Sequence, residues 1–172
     1  MLAAATAEFA MGRKLWGVNE TPGFWSGDVW SRFNSQLVAD PYTFTHITHG
    51  IVFYALLSLA FGTLPVNIRF LIAVGLESAW EVLENTNMVI ERYRMETISL
   101  NYYGDSVVNS MADILACMIG FFLASQLPKR VTVFCTIGLE VVLLLWVRDN
   151  LAVNVIMLIY PSGALRNWQL GQ

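Results

Sequence analysis

Apolar residues dominate residues 43–62, 68–85, 105–126 and 131–147, and each run is closed by glycine, proline or charged residues. Each is near the ~20 residues that a helix needs to cross a bilayer, so the pattern predicts four spanning helices. Residues 1–12, MLAAATAEFAMG, are apolar but too short to span, and they predict a half-inserted helix or the end of a longer one. Residues 13–42 lose the period: Gly17, Pro22, Gly23, Gly27 and Pro41 interrupt them, while Trp16, Trp25, Trp30 and Tyr42 suit a membrane interface. An interfacial loop is expected there, with one short helix around Val29–Leu37. Thr43 or Thr45 is placed to cap the next helix. Residues 86–104 read as a polar connection, and 151–168 as a short or kinked helix interrupted at Pro161. The fold class is therefore all-α, a polytopic membrane helix bundle forming one integral domain over residues 1–172. It has four full spans and short or half-inserted helices at each end.

The polar positions within these runs are periodic. Glu77, Glu81 and Glu84 follow i, i+4, i+7, and Asp105, Asn109 and Asp113 follow i, i+4, i+8, so each set occupies one helix face. The second face continues through Ala112, Ala116 and Gly120, small residues that let a neighbouring helix approach closely. His46 and His49 are i, i+3 on the preceding span. Spans joined by short turns alternate in direction, which brings these stripes to one side together with Asn85, Arg92 and Arg94. The expected result is a one-sided polar funnel. Glu8 lies on neither stripe and is expected to be dispensable.

Composition supports the membrane reading. The chain is 56% hydrophobic and only 13% charged, against roughly 25% charged in soluble domains. A net charge of −3 with scattered Lys and Arg excludes an electrostatic footprint for nucleic acid. Cys117 and Cys135 sit in apolar runs, where a thiol packs as a small hydrophobe. Six of the ten basic residues fall on the funnel side, a count that taken plainly puts the funnel in the cytoplasm. Without Arg92, Arg94 and Arg148, which belong to the polar cluster, the balance is Arg13, Lys14 and Arg32 against Arg69, Lys129, Arg130 and Arg166. That balance favours a periplasmic funnel.

A charge at bilayer depth costs on the order of 2.5–3.5 kcal/mol on insertion scales, so acids on such helices mark a functional site. Glu81, Asp113 and His49 are the candidate catalytic groups, with His46, Glu77, Glu84, Asn85, Arg92, Arg94, Asp105 and Asn109 lining the pocket. Glu81, Glu84, Asp105 and Asp113 are candidate ligands of a divalent cation: Mg²⁺, Mn²⁺ or Ca²⁺ on carboxylates alone, Zn²⁺ if both histidines join. Two classes of function fit. The first is binding or hydrolysis of a lipid or lipid-linked headgroup, with the membrane lipid as partner and Arg92 or Arg94 meeting its phosphate. The second is a proton- or cation-handling protein, or a structural membrane subunit, in which the same acids titrate or pair without catalysis.

Several strings are distinctive: Ala10-Met11-Gly12-Arg13, Asn34-Ser35-Gln36, Trp80-Glu81 with Glu84-Asn85, Arg92-Tyr93-Arg94, Tyr102-Tyr103-Gly104-Asp105-Ser106, Arg148-Asp149-Asn150-Leu151 and Met157-Leu158-Ile159-Tyr160-Pro161. Together they resemble an uncharacterised family of alphaproteobacterial inner-membrane proteins, a domain of unknown function. The resemblance implies a multi-pass inner-membrane protein and brings no activity with it. Members of that family carry a full first span and a Cys-x-Cys in the following loop, where this chain reads Lys14-Leu15-Trp16-Gly17. Glu81, Glu84, Arg92, Asn109, Asp113 and Gly120, after an early histidine, also resemble the pattern of VanZ-like membrane proteins. That likeness implies a small helical bundle with a one-sided polar pocket, an analogy of fold alone.

Overall fold

The computed structural model describes residues 1–99 and 101–172, and among them the regular structure is helical. In chain order the helices are α1 (Leu2–Ala10), α2 (Thr43–Ala60), α3 (Val66–Glu84), α4 (Asn87–Glu96), α5 (Val107–Gln126), α6 (Lys129–Val147), α7 (Leu151–Ile159) and α8 (Gly163–Leu170). Three of them, α2, α5 and α6, are long and apolar enough to cross a membrane. The fourth expected span, α3, has 19 residues but carries Arg69, Glu77, Glu81 and Glu84. Its length suits a crossing and its four charged residues do not, although Glu77 and Glu81 are buried.

Burial is inverted relative to a water-soluble bundle. Glu8, Asp40, His46, Glu77, Glu81, Asp105, Asp113 and Asp149 are buried, while Leu59, Leu71, Phe122, Phe134 and Leu145 point outward. An apolar exterior around a polar interior is the arrangement a bilayer rewards. Helices α2 and α5 make the most extensive pairing, and glycine permits it. A Cβ on Gly50 would run into the carbonyl of Cys117, and one on Gly120 into the carbonyl of Ile47. Backbone meets backbone at this crossing, as small residues allow. Below it, Leu57, Ala73 and Phe121 pack with Phe53, Tyr54 and Phe70 into an apolar plug. Helix α6 buries little beyond Leu143 and Val147.

Several expected elements are revised. The polar connection contains α4, whose first turn is capped by Thr86 accepting from the Val89 amide; Leu100, in the same connection, lies outside the described residues. No helix forms at Val29–Leu37, which is a series of turns. The loop is instead tied by backbone pairing, Ser26 N–H to Ala39 O at 3.0 Å and Ala39 N–H to Phe24 O at 2.9 Å. Ser35 adopts the left-handed region at φ 61° and is held there by its N–H donating to Asp40 Oδ2 at 2.7 Å. Neither Thr43 nor Thr45 caps α2; Thr45 Oγ1 donates back to Tyr42 O at 2.6 Å. The carboxy-terminal helix does not continue through Pro161 but restarts as α8 with Ser162 as its cap. Asn150 caps α7 by accepting from the Val153 amide at 2.9 Å.

Candidate functional site

The i, i+3 spacing on α2 presents His46 and His49 side by side, with their rings edge to face and 5.0 Å apart. Opposite them, α3 offers Glu77 one turn below Glu81. The Glu77 carboxylate is fully buried. Its Oε1 lies 2.6 Å from His46 Nδ1 and 3.0 Å from His49 Nδ1, so one carboxylate accepts from both rings. Glu81 Oε1 is 3.3 Å from the same His46 nitrogen, yet it makes no hydrogen bond because that single N–H points at Glu77. From α5, Asp113 brings Oδ2 to 3.9 Å from His46 Nε2. Its other oxygen, Oδ1, is buried without a partner. Two unsatisfied carboxylate oxygens therefore meet two oriented imidazoles.

The pairs that are short enough to be hydrogen bonds are too short to be neighbouring ligands of one ion. Tetrahedral ligands at ~2.0–2.1 Å from zinc sit roughly 3.3 Å apart, whereas His46 Nδ1 and Glu77 Oε1 are at 2.6 Å. Glu77 is accordingly the carboxylate that fixes both rings through Nδ1, as outer carboxylates do for metal-bound histidines. This leaves each Nε2 with no hydrogen bond among the described residues. Both rings line a cavity of about 70 Å³ together with Glu84, Asp105 and Asp113. Donor atoms come close enough to share an ion in two groups, His46–His49–Glu77 and His46–Glu81–Glu84. Of the four expected ligands, Glu81 and Glu84 fall within these groups, beside imidazole, and Asp105 and Asp113 fall outside both.

Asp105 has other partners. Tyr102 donates to its Oδ2 at 2.9 Å and Asn85 Nδ2 at 3.1 Å, while the Asp105 amide donates to Asn85 Oδ1 at 2.8 Å. Burial pushes its carboxyl up to about 7, although the Tyr102 hydroxyl opposes this by stabilising the ionised form. Burial likewise raises Asp149 to about 6 against hydrogen bonds from Asn154 and Tyr42.

Six of the sequence-derived positions stand off the cavity surface. Glu77 and Glu81 lie behind His46. Asn85 buttresses Asp105, and Asn109 donates to Leu37 O at 3.0 Å, which anchors the loop. Arg92 donates through Nε to Leu158 O at 3.0 Å, and Arg94 stacks over Tyr103 at 4.5 Å. Neither arginine lines the cavity, and no Lys or Arg does among the described residues. The carboxylates therefore face one another and two histidines, with no fixed cation between them.

Other wall residues escaped the stripe pattern. Asn34, Ser35 and Tyr42 come from the loop, Tyr93 and Tyr102 from the polar connection, and Asn154 from α7. Tyr93 OH donates to Asn154 Oδ1 at 3.1 Å, which closes the wall. Only their polarity beside apolar runs hinted at them. Glu8, expected to be dispensable, is fully buried with both oxygens unpartnered. An acid inside the apolar string Ala3–Ala10 was the available signal.

Fold and site together define an all-helical protein with three helices able to cross a membrane and a buried histidine–carboxylate centre at one end of them. Residues 8–171 match the family described as "Protein of unknown function (DUF2585)". The chain belongs to this family. It is 46% identical over 147 residues to a UPF0314 protein of Brucella anthropi, covering 86% of this chain and 74% of that one. A UPF0314 protein of Paracoccus denitrificans is 50% identical over 145 residues, covering 84% and 75%. A UPF0314 protein of Rhizobium etli is 42% identical over 171 residues, covering 99% and 88%. No solved structure matches the chain.

Proposed function

We propose that this protein is a multi-pass inner-membrane protein that holds a divalent cation in a one-sided pocket and uses it to bind and hydrolyse a lipid or lipid-linked headgroup. The observation that supports it best is the pairing of two Glu77-oriented imidazoles with the unpartnered oxygens of Glu81 and Asp113. His46, Glu81 and Glu84, whose donor atoms come close enough to share an ion, would be the ligands, with His49 and Asp113 beside them. Mixed imidazole and carboxylate donors favour Zn²⁺ or another first-row ion over Mg²⁺. Such an ion supplies Lewis acidity and lowers the pKa of a water it binds. Asp113, whose Oδ1 is buried without a partner, would serve as general base and acid.

Size narrows the chemistry. A cavity of about 70 Å³ is far below the ~300–1,000 Å³ that encloses a small-molecule ligand. Only the reacting group of a headgroup enters, and the remainder stays outside. The competing reading, proton or cation handling without turnover, needs a polar path to the far side. The plug of Leu57, Ala73 and Phe121 stands across that path.

The test is direct. Protein purified without chelator should carry about one divalent ion per chain, and removing the ion should lower the melting temperature, since a ligand bound only by the folded state stabilises it. His46→Ala should abolish both effects. Metal-free protein whose melting ignores chelator and added Zn²⁺ or Mn²⁺ would defeat the proposal.

A further inference from the structure

Beside the carboxylate cavity lies a second and larger one, about 520 Å³, walled by residues 12–14, by Gly17 and Asn19, by Arg32, Asn34 and Gln36, and by residues 101–106. Its charge is opposite. Arg13, Lys14 and Arg32 line it, which makes it the site of basic residues that Arg92 and Arg94 do not provide. Arg13 is seated deliberately: it donates to the Tyr103 carbonyl, and Gly104, at φ +93°, has no Cβ to displace its guanidinium. Among the described residues neither Arg13 nor Arg32 forms an ion pair. Lys14 has only the exposed Glu20, 3.6 Å away, a contact that a stronger anion would displace. Asn34, Tyr102 and Asp105 line both cavities, so the two share a wall. The surrounding loop exposes Leu15, Phe24 and Trp30, apolar groups suited to seating it at the level of lipid headgroups.

We infer that this basic cleft receives a phosphate-bearing, net anionic headgroup at the membrane surface, and so presents the adjoining bond to the carboxylate cavity. The inference rests on the reading above for which bond is broken, but the binding step stands apart from it. Guanidinium groups pair with phosphate oxygens through two parallel hydrogen bonds, and a lysine adds charge without direction. The cleft volume fits a headgroup that the inner cavity cannot hold. Division of labour follows: cations fix the phosphate, and the histidine–carboxylate centre does the chemistry.

The experiment uses the full chain in a neutral detergent, with binding followed by intrinsic tryptophan fluorescence. The probes are dihexanoyl phosphatidic acid, dihexanoyl phosphatidylcholine and inorganic phosphate. Phosphatidic acid should bind about tenfold tighter than phosphatidylcholine, and Arg32→Gln should weaken it about tenfold, the scale of one lost charge-assisted contact. Arg13→Gln should do the same. Because Arg13 also holds the Tyr103 carbonyl, its helical content is checked by circular dichroism and Arg32→Gln carries the test if it unfolds. Arg92→Ala should leave binding unchanged. Metal content is measured on every variant, and intact metal with lost lipid binding supports the cleft separately from the centre. Equal affinity for the two lipids, or no loss in Arg32→Gln, would overturn the inference. Inorganic phosphate binding as tightly as phosphatidic acid would overturn the headgroup assignment in favour of a free anion.

Discussion

Glu77 does more for the centre than its neighbours, because it alone orients both imidazoles while staying out of the cavity. Glu77→Gln replaces one acceptor oxygen with a donor facing a ring N–H. It should cut metal affinity by about 10–100-fold, the usual cost of losing an orienting carboxylate, with helicity retained; isothermal titration with Zn²⁺ against the wild type checks this. Asp105 makes a separate prediction about pH. Its folded carboxyl titrates at about 7, and an unfolded aspartate near ~3.9. Between those values the folded state holds a proton that the unfolded chain has released, so this group's contribution to stability falls as pH rises through that window. Tyr102 and Asn85 hydrogen-bond it, and Asp40 and Glu8 are its acidic neighbours. Asp105→Asn, neutral throughout, should flatten the drop in melting temperature between about pH 4 and about pH 7, and an unchanged drop would contradict the assignment. The residues of these two predictions were legible from i, i+4 spacing because each stripe turns inward as a unit. Glu8 was not legible, since it has no periodic companion on its short helix. Its two unpartnered oxygens carry a desolvation cost of about 1–3 kcal/mol. Glu8→Met should therefore raise the melting temperature by several degrees, at roughly 2–4 °C per kcal/mol for a chain of this size.

Among the elements, the crossing of α2 and α5 sets the geometry of the site, because His46 and Asp113 approach only as closely as the two backbones do. Gly120→Val forces those backbones apart where Ile47 O now sits. It should lower stability by about 1–3 kcal/mol and abolish metal binding together, whereas Gly138→Val on α6, which meets no neighbour, should do neither in a melting assay. The apolar runs predicted α2, α5 and α6 with boundaries within a few residues. Helix α4 was missed because its sequence, NMVIERYRME, has no sustained apolar face, and only the cap at Thr86 marks it. The helix expected at Val29–Leu37 failed for the opposite reason. Local turn bonds and the Ser35–Asp40 contact outweighed a weak period.

At the scale of the whole molecule, the approach of His46 on α2 to Glu77 and Glu81 on α3 and to Asp113 on α5 was readable from alternation of direction, since short turns make neighbouring helices antiparallel. The identity of the cations was not readable, because it depends on how a loop without periodicity folds back over the bundle. Arg92 and Arg94 look closest in sequence to the acids, yet Arg92 is tied to the end of α7 and Arg94 to Tyr103. Arg13, Lys14 and Arg32 reach the neighbouring cleft from a distance of some seventy residues or more in sequence from the 101–106 segment that walls it. The central claim remains the metal centre. X-ray absorption at the metal edge of protein purified in detergent tests it most directly. The account predicts a bound ion with nitrogen and oxygen neighbours at ~2.0–2.2 Å and the outer scattering of imidazole, both lost in His46→Ala. An ion surrounded by oxygen alone, or the absence of any ion at the level of one per chain, would contradict it.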